Sequence, residues 1–223
     1  MAIRRFDCKG YGQIEPSQVW FTRAGMSESQ CFLDEEVFAS NFPMTPAEID
    51  AGKIVAENGA FLMIDKANKT ATVPTKAGTD KGFKIGINYS TERIYNQFTP
   101  GRRNFCMIAG EFLPRIGFVE PGMRICTNAV CWDDTVYTVD ATSTDSPSVQ
   151  MYKKVKADLA AGNPVYAFVV DDSENDVKAN GKLVIGASVE DAIGEVYAQV
   201  VECYTNADTT LSFKIMFINK PTE

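Results

Sequence analysis

From Glu111 to Val139 the chain reads EFLPRIGFVEPGMRICTNAVCWDDTVYTV. Short apolar runs alternate here with a Pro-Gly turn and stop at a two-aspartate step, the pattern of an antiparallel β-domain. Pro121 and Gly122 suit the two central positions of a type II turn, because only glycine easily takes the positive φ required at the second. The turn divides a strand at 116–119 from a longer one at 124–132, and a further strand is expected at 135–139.

Toward the C-terminus the period changes once. Ser146 is placed to cap a helix with Pro147 in its first turn, Val149, Tyr152, Val155 and Leu159 recur near helical spacing, and Gly162 ends it, so a helix is expected near 147–161. Lys153, Lys154 and Lys156 on its other face are read as solvated. Strands follow at 165–170, 182–187 and 196–204, the last turning through 206–209 into 211–218. About six strands and one helix make 106–223 a small antiparallel barrel or sandwich whose open end the helix covers.

Toward the N-terminus, residues 51–105 read as a β-hairpin annex. Glu57-Asn58-Gly59 is a turn, 60–64 and 70–73 are strands joined by the turn 65–69, 74–82 is a loop and 83–89 a third strand. Residues 97–104 form an exposed turn carrying Arg102 and Arg103. Residues 1–50 read as an extended arm, with Phe6, Tyr11, Trp20, Phe21, Phe32, Phe38 and Phe42 too irregularly spaced for either period. Such aromatics must lie on the following domain or on another molecule, the first being the default. Thr45-Pro46-Ala47-Glu48 offers a helix start, but Gly52 allows two turns at most.

Composition narrows the function. With 45% hydrophobic and 23% charged residues, the 223-residue chain buries a sizeable core, as one main domain with an annex. A net charge of -7 disfavours nucleic acid or an anionic membrane surface as partner. No apolar run approaches the roughly 18 residues of a membrane span, and no signal-peptide core follows Arg4 and Arg5, so the chain is expected to stay in the cytoplasm where it is made, or to leave by lysis. The six cysteines are expected to be small buried thiols.

The sequence contains no histidine, which removes the commonest general base and metal ligand. Neither Ser-x-x-Lys, Gly-x-Ser-x-Gly nor a Walker A motif is present, and Gly10-Tyr11-Gly12 lacks the third glycine of a dinucleotide loop. Cys126 and Cys131 are oddly separated, which puts them on opposite faces of a regular strand and disfavours a zinc pair. Asp171 to Asp176 is acidic but lacks the glycine and the closing glutamate of a calcium loop. Asp133 and Asp134 point apart on a strand and suit a turn cap better than a catalytic pair. No catalytic, cofactor or metal residue is assigned.

Three stretches, in order, resemble structural proteins of tailed bacteriophages of the head and capsid-decoration kind. They are ENGAFLMIDKANKTATVPT (Glu57 to Thr75), YSTERIYNQFTPGRRNF (Tyr89 to Phe105) and EFLPRIGFVEPGMRICTNAVCWDD (Glu111 to Asp134). The shared features are an Asn-Gly strand ending in Asp-Lys, an Ile-Tyr…Pro-Gly segment, and an Arg-Ile-Gly strand leading through a glycine turn to Asp-Asp. The likeness covers about a third of the chain. It implies a non-enzymatic, multi-copy virion component, assembled in the host cytoplasm, that binds the major capsid protein and neighbouring copies of itself. The expected contacts are the arm, through Arg4, Arg5, Phe6, Tyr11 and Trp20, and the Arg102-Arg103 turn. A tail-tube or head-fibre subunit is the alternative within phages. A carbohydrate-binding module, with Trp20 or Trp132 stacked on a sugar, is the alternative outside them.

Overall fold

The computed structural model describes residues 1–6, 31–34, 56–89, 110, 112–113, 115–171, 179–206 and 209–221, together with the backbone of 27–28 and 106–107. The first half holds β1 (Ile3–Arg5), β2 (Ser27–Glu28), β3 (Cys31–Leu33), β4 (Ala56–Glu57), β5 (Phe61–Asp65), β6 (Thr70–Thr72), α1 (Lys76–Asp80), β7 (Lys84–Asn88), β8 (Cys106–Met107) and β9 (Phe112–Leu113). The second holds β10 (Ile116–Gly117), β11 (Arg124–Thr127), β12 (Val130–Asp133), α2 (Pro147–Ala161), β13 (Val165–Val170), β14 (Leu183–Ile185), β15 (Ala192–Thr205) and β16 (Leu211–Ile218). The chain is mainly β, with one long helix.

The larger sheet runs β1-β12-β14-β13-β15-β16-β11. Every neighbouring pair in it is antiparallel except β12 with β14. Following these directions across the sheet, β11 and β12 point the same way although they stand near opposite ends, and only Asn128 and Ala129 separate them. They are therefore the two halves of one bent strand. Its first half pairs with β16 and its second with β14, which curls the sheet into a nearly closed barrel.

The break at Asn128-Ala129 also resets the side-chain alternation. Ile125 and Val130, an odd number of residues apart, both enter the main core. Cys126 and Cys131 thus both point away from it, which corrects the expectation of opposite faces. Each thiol has its own neighbour: Cys126 Sγ lies 3.6 Å from Ser212 Oγ, and Cys131 Sγ 3.7 Å from the Ala179 carbonyl.

The core inside the barrel is built from alternate residues of each strand, among them Trp132, Val165, Ala167, Ile185, Ala198, Phe213, Ile215 and Phe217. Helix α2 adds Met151, Tyr152 and Val155 to this core, each contributing about 1.5–3 kcal/mol by burial. Ser146 Oγ accepts from the Val149 amide, and Gly162 ends the helix at φ +82°. The Pro121-Gly122 turn also forms, with Gly122 at φ +94° and the Met123 amide donating to the Glu120 carbonyl at 3.1 Å.

The second sheet runs β2-β10-β7-β5-β6-β3-β9, again antiparallel apart from one pair, β3 with β6. It draws strands from the ranges read as arm, annex and barrel alike, because β9 and β10 pair back onto elements before residue 89. One face closes the barrel core with Phe61, Ile85 and Ile87, the Phe61 ring standing 5.9 Å from Phe217. The other face carries a separate cluster of Leu33, Leu62, Ile64, Ala71 and Leu113.

Two local expectations change. Residues 135–139 form no strand, a turn at 134–136 running into irregular chain, because the Asp133 carboxylate accepts from both the amide and the hydroxyl of Thr135 at 2.9 and 2.8 Å and bends the chain there. The 74–82 loop contains the short helix α1, capped by Thr75. The helix start at Thr45 and the 97–104 turn lie outside the described residues.

Candidate functional site

β1 is the start of the expected contact arm. Its residues pair with β12 in the register Ile3 to Asp133, Arg4 to Trp132 and Arg5 to Cys131. The ladder continues at both ends, where the Asp134 amide donates to the Ala2 carbonyl at 2.7 Å and the Phe6 amide to the Val130 carbonyl at 3.1 Å. β1 thus lies along the edge of the bent strand beyond the point where β16 leaves it.

Strand alternation sends Phe6 inward and Arg5 outward. The Phe6 ring is 1% exposed and meets Phe213 edge-on at 5.1 Å and Trp132 at 6.4 Å. This corrects its assignment as an intermolecular contact, because a ring seated in its own core has no surface to offer. Phe6→Ala is expected to lower stability by about 3–5 kcal/mol, measured by denaturant unfolding with Trp132 fluorescence as the probe.

Arg5 reaches a buried charge cluster. Its guanidinium lies 3.2 Å from Glu57 Oε1 and 3.3 Å from Oε2, while Lys182 Nζ lies 2.8 Å from Oε1. Glu57 is fully buried and Lys182 is 3% exposed. The sequence marks Glu57 only as a turn residue and Lys182 only as the start of a strand. No local signal joins two ordinary charges so far apart in the chain. Together they tie β1, the end of β4 at the turn into β5, and the residue before β14. Nearby, Asn88 Nδ2 donates to the Glu57 carbonyl at 3.0 Å and holds the same turn.

Arg4 remains partly exposed, paired with Asp134 at 3.0 Å, with its guanidinium 6.0 Å from the centre of the Trp132 ring. Tyr11, Trp20, Arg102 and Arg103 lie outside the described residues, as do Gly10-Tyr11-Gly12 and the acidic run after Asp171. Trp132 is fully buried, so it offers no face to a sugar.

On the surface the second sheet ends in an aromatic pair. Phe32 on β3 and Phe112 on the edge strand β9 are directly opposed, with centroids 5.5 Å apart and with 47% and 46% exposure. Their proximity was not legible in sequence, because residues 80 apart meet only through strand pairing.

The titratable groups beneath α2 serve packing. Tyr137 donates from its hydroxyl to Asp158 Oδ2 at 3.2 Å, and burial together with that carboxylate raises its pKa. Burial pushes the Cys203 thiol up to about 11. Cys203 is therefore expected to react slowly with iodoacetamide at pH 8, where about one thiol in a thousand is ionised, and to speed up about tenfold per pH unit until the fold opens. Mass mapping of the labelled peptide reads this directly.

Among the described residues no three metal-ligating side chains cluster, and no helix is long and apolar enough to cross a membrane. No protein family matches the chain, and no characterised protein or solved structure does.

Proposed function

We propose that the protein is a non-enzymatic structural component of a phage virion that binds and stabilises the capsid. The observation that carries this reading furthest is the Phe32–Phe112 pair at the end of the second sheet's strand order among the described residues. Two half-exposed aromatic rings beside an edge strand form a patch whose burial against a neighbouring subunit is favourable. The three stretches that resemble head proteins supply the partner. The buried Trp132 offers no sugar platform, which leaves the glycan-binding alternative resting on Trp20.

The test mixes purified protein with capsids that lack it and follows sedimentation and mass. Saturable binding in a fixed ratio to the shell subunit is expected, and the double variant F32S/F112S should fold normally while binding at least tenfold more weakly. No binding by the wild type, or self-assembly into rings or fibres without capsid, overturns the reading in favour of a tail component. Deleting the whole arm is a poorer test, because it also removes Phe6 from the core.

A further inference from the structure

We infer that Asn58 is a site of self-modification: opening of the turn from β4 into β5 lets Asn58 convert to isoaspartate with release of ammonia, and the product no longer closes that turn. The sequence holds two Asn-Gly pairs, Asn58-Gly59 and Asn180-Gly181. A glycine after asparagine has no Cβ to shield its nitrogen, so that nitrogen reaches the asparagine side chain more readily than before any residue with a side chain. Both asparagines are buried, at 4% and 8% exposure. The two pairs also lie close together where the second sheet touches the barrel, the Phe61 amide donating to the Gly181 carbonyl at 2.6 Å. The pairs most open to this reaction are thus placed inside the fold.

The reaction needs only the chain and water. The Gly59 nitrogen gives its proton to hydroxide and bonds to Asn58 Cγ, the Cγ–Nδ2 bond breaks, and Nδ2 takes a proton from water and leaves as ammonia. One water molecule then opens the resulting succinimide ring. Attack at Cγ gives aspartate, and attack at the backbone carbonyl gives isoaspartate, in which the chain runs through Cβ and Cγ. Nothing is oxidised or reduced.

Folding blocks the first step. The Gly59 amide donates to the Asn88 carbonyl at 2.7 Å, so the nitrogen that must attack is engaged, and turning it toward Asn58 Cγ breaks that bond. Asn88, the last residue of β7, holds the same turn twice more: its amide donates to the Ala60 carbonyl at 2.7 Å and its Nδ2 to the Glu57 carbonyl at 3.0 Å. Breaking three such bonds makes the open form about tenfold to a thousandfold rarer than the closed one. Isoaspartate then prevents the return. It adds one backbone methylene between Glu57 and Gly59, while Asn88 is fixed opposite Ile116 of β10. The Asn88 carbonyl and side chain therefore keep the original spacing, and the lengthened turn cannot meet both. An opening that leads to reaction is recorded permanently, whether or not the chain binds a capsid.

The test holds the wild-type protein in mildly alkaline buffer, with and without an unfolding concentration of urea. The peptide containing residue 58 is followed by mass spectrometry, with fragmentation that separates isoaspartate from aspartate. Conversion of Asn58 is expected to be about tenfold to a thousandfold slower in the folded protein, and to quicken as urea approaches the unfolding transition. Equal rates in the folded and unfolded protein overturn the inference, and this comparison requires no refolding. The fraction with isoaspartate at 58 and intact Asn180, returned to buffer, is then compared by hydrogen exchange with fresh protein taken through the same cycle. It should have lost protection at the Gly59 and Asn88 amides, whereas Asn58→Asp, which carries the charge without the added methylene, should keep it. Full protection in the isoaspartate form, or equal loss in Asn58→Asp, overturns the account of the closed turn.

Discussion

Glu57→Leu is expected to lower the stability of the fold by about 3–5 kcal/mol, because it leaves the Lys182 ammonium, 3% exposed, without its carboxylate. The effect belongs to the orphaned charge and not to the value of the ion pair. Accordingly the double variant E57L/K182M should recover much of the loss, since it removes the buried ammonium and leaves the more exposed Arg5 as the cation that loses its contact with Glu57. Arg5→Met should be far milder, as Arg5 is the more exposed partner and its loss leaves Glu57 and Lys182 paired. Urea unfolding of the three variants checks the ordering. An E57L protein as stable as the wild type would show that water reaches Lys182 in the folded chain.

Gly181→Ala is expected to have a comparable effect for a steric reason. Gly181 stands at φ +70°, and a Cβ there would lie 2.2 Å from the Phe61 carbonyl oxygen. The obstacle is backbone on both sides, since the Phe61 amide donates to the Gly181 carbonyl at 2.6 Å and fixes the separation. No rotamer change relieves the clash, so the second sheet must shift away from the barrel and draw Phe61 away from Phe217. A loss of about 3 kcal/mol or more is expected, with the Phe61 contact opening before the barrel unfolds. Hydrogen exchange resolves the order, with the Phe61 and Asn88 amides losing protection ahead of those of β13 and β15. Equal loss across both sheets would refute the account.

Both predictions fall on the junction between the sheets, and that junction is where sequence and structure part. The Pro121-Gly122 turn, the Ser146 cap, the Gly162 stop and the β15–β16 hairpin are each encoded by neighbours within a few residues. Their φ requirements and short hydrogen bonds are local, so they were legible without coordinates. At 135–139 the apolar alternation mimics a strand, while the Asp133 cap that turns the chain acts over only two residues.

By itself, then, the sequence determined the β class, the single long helix, the main turns and the lack of a catalytic motif, all of which depend on composition or on short-range periodicity. Tertiary structure alone decided that the strand at 124–133 bends and pairs with both ends of the sheet, that Phe6 fills its own core, and that Glu57 meets Lys182 and Arg5. It likewise brought Phe32 against Phe112. Each of these joins residues far apart along the chain, and the free energy that selects them comes from closing a common core, which no local window of sequence contains.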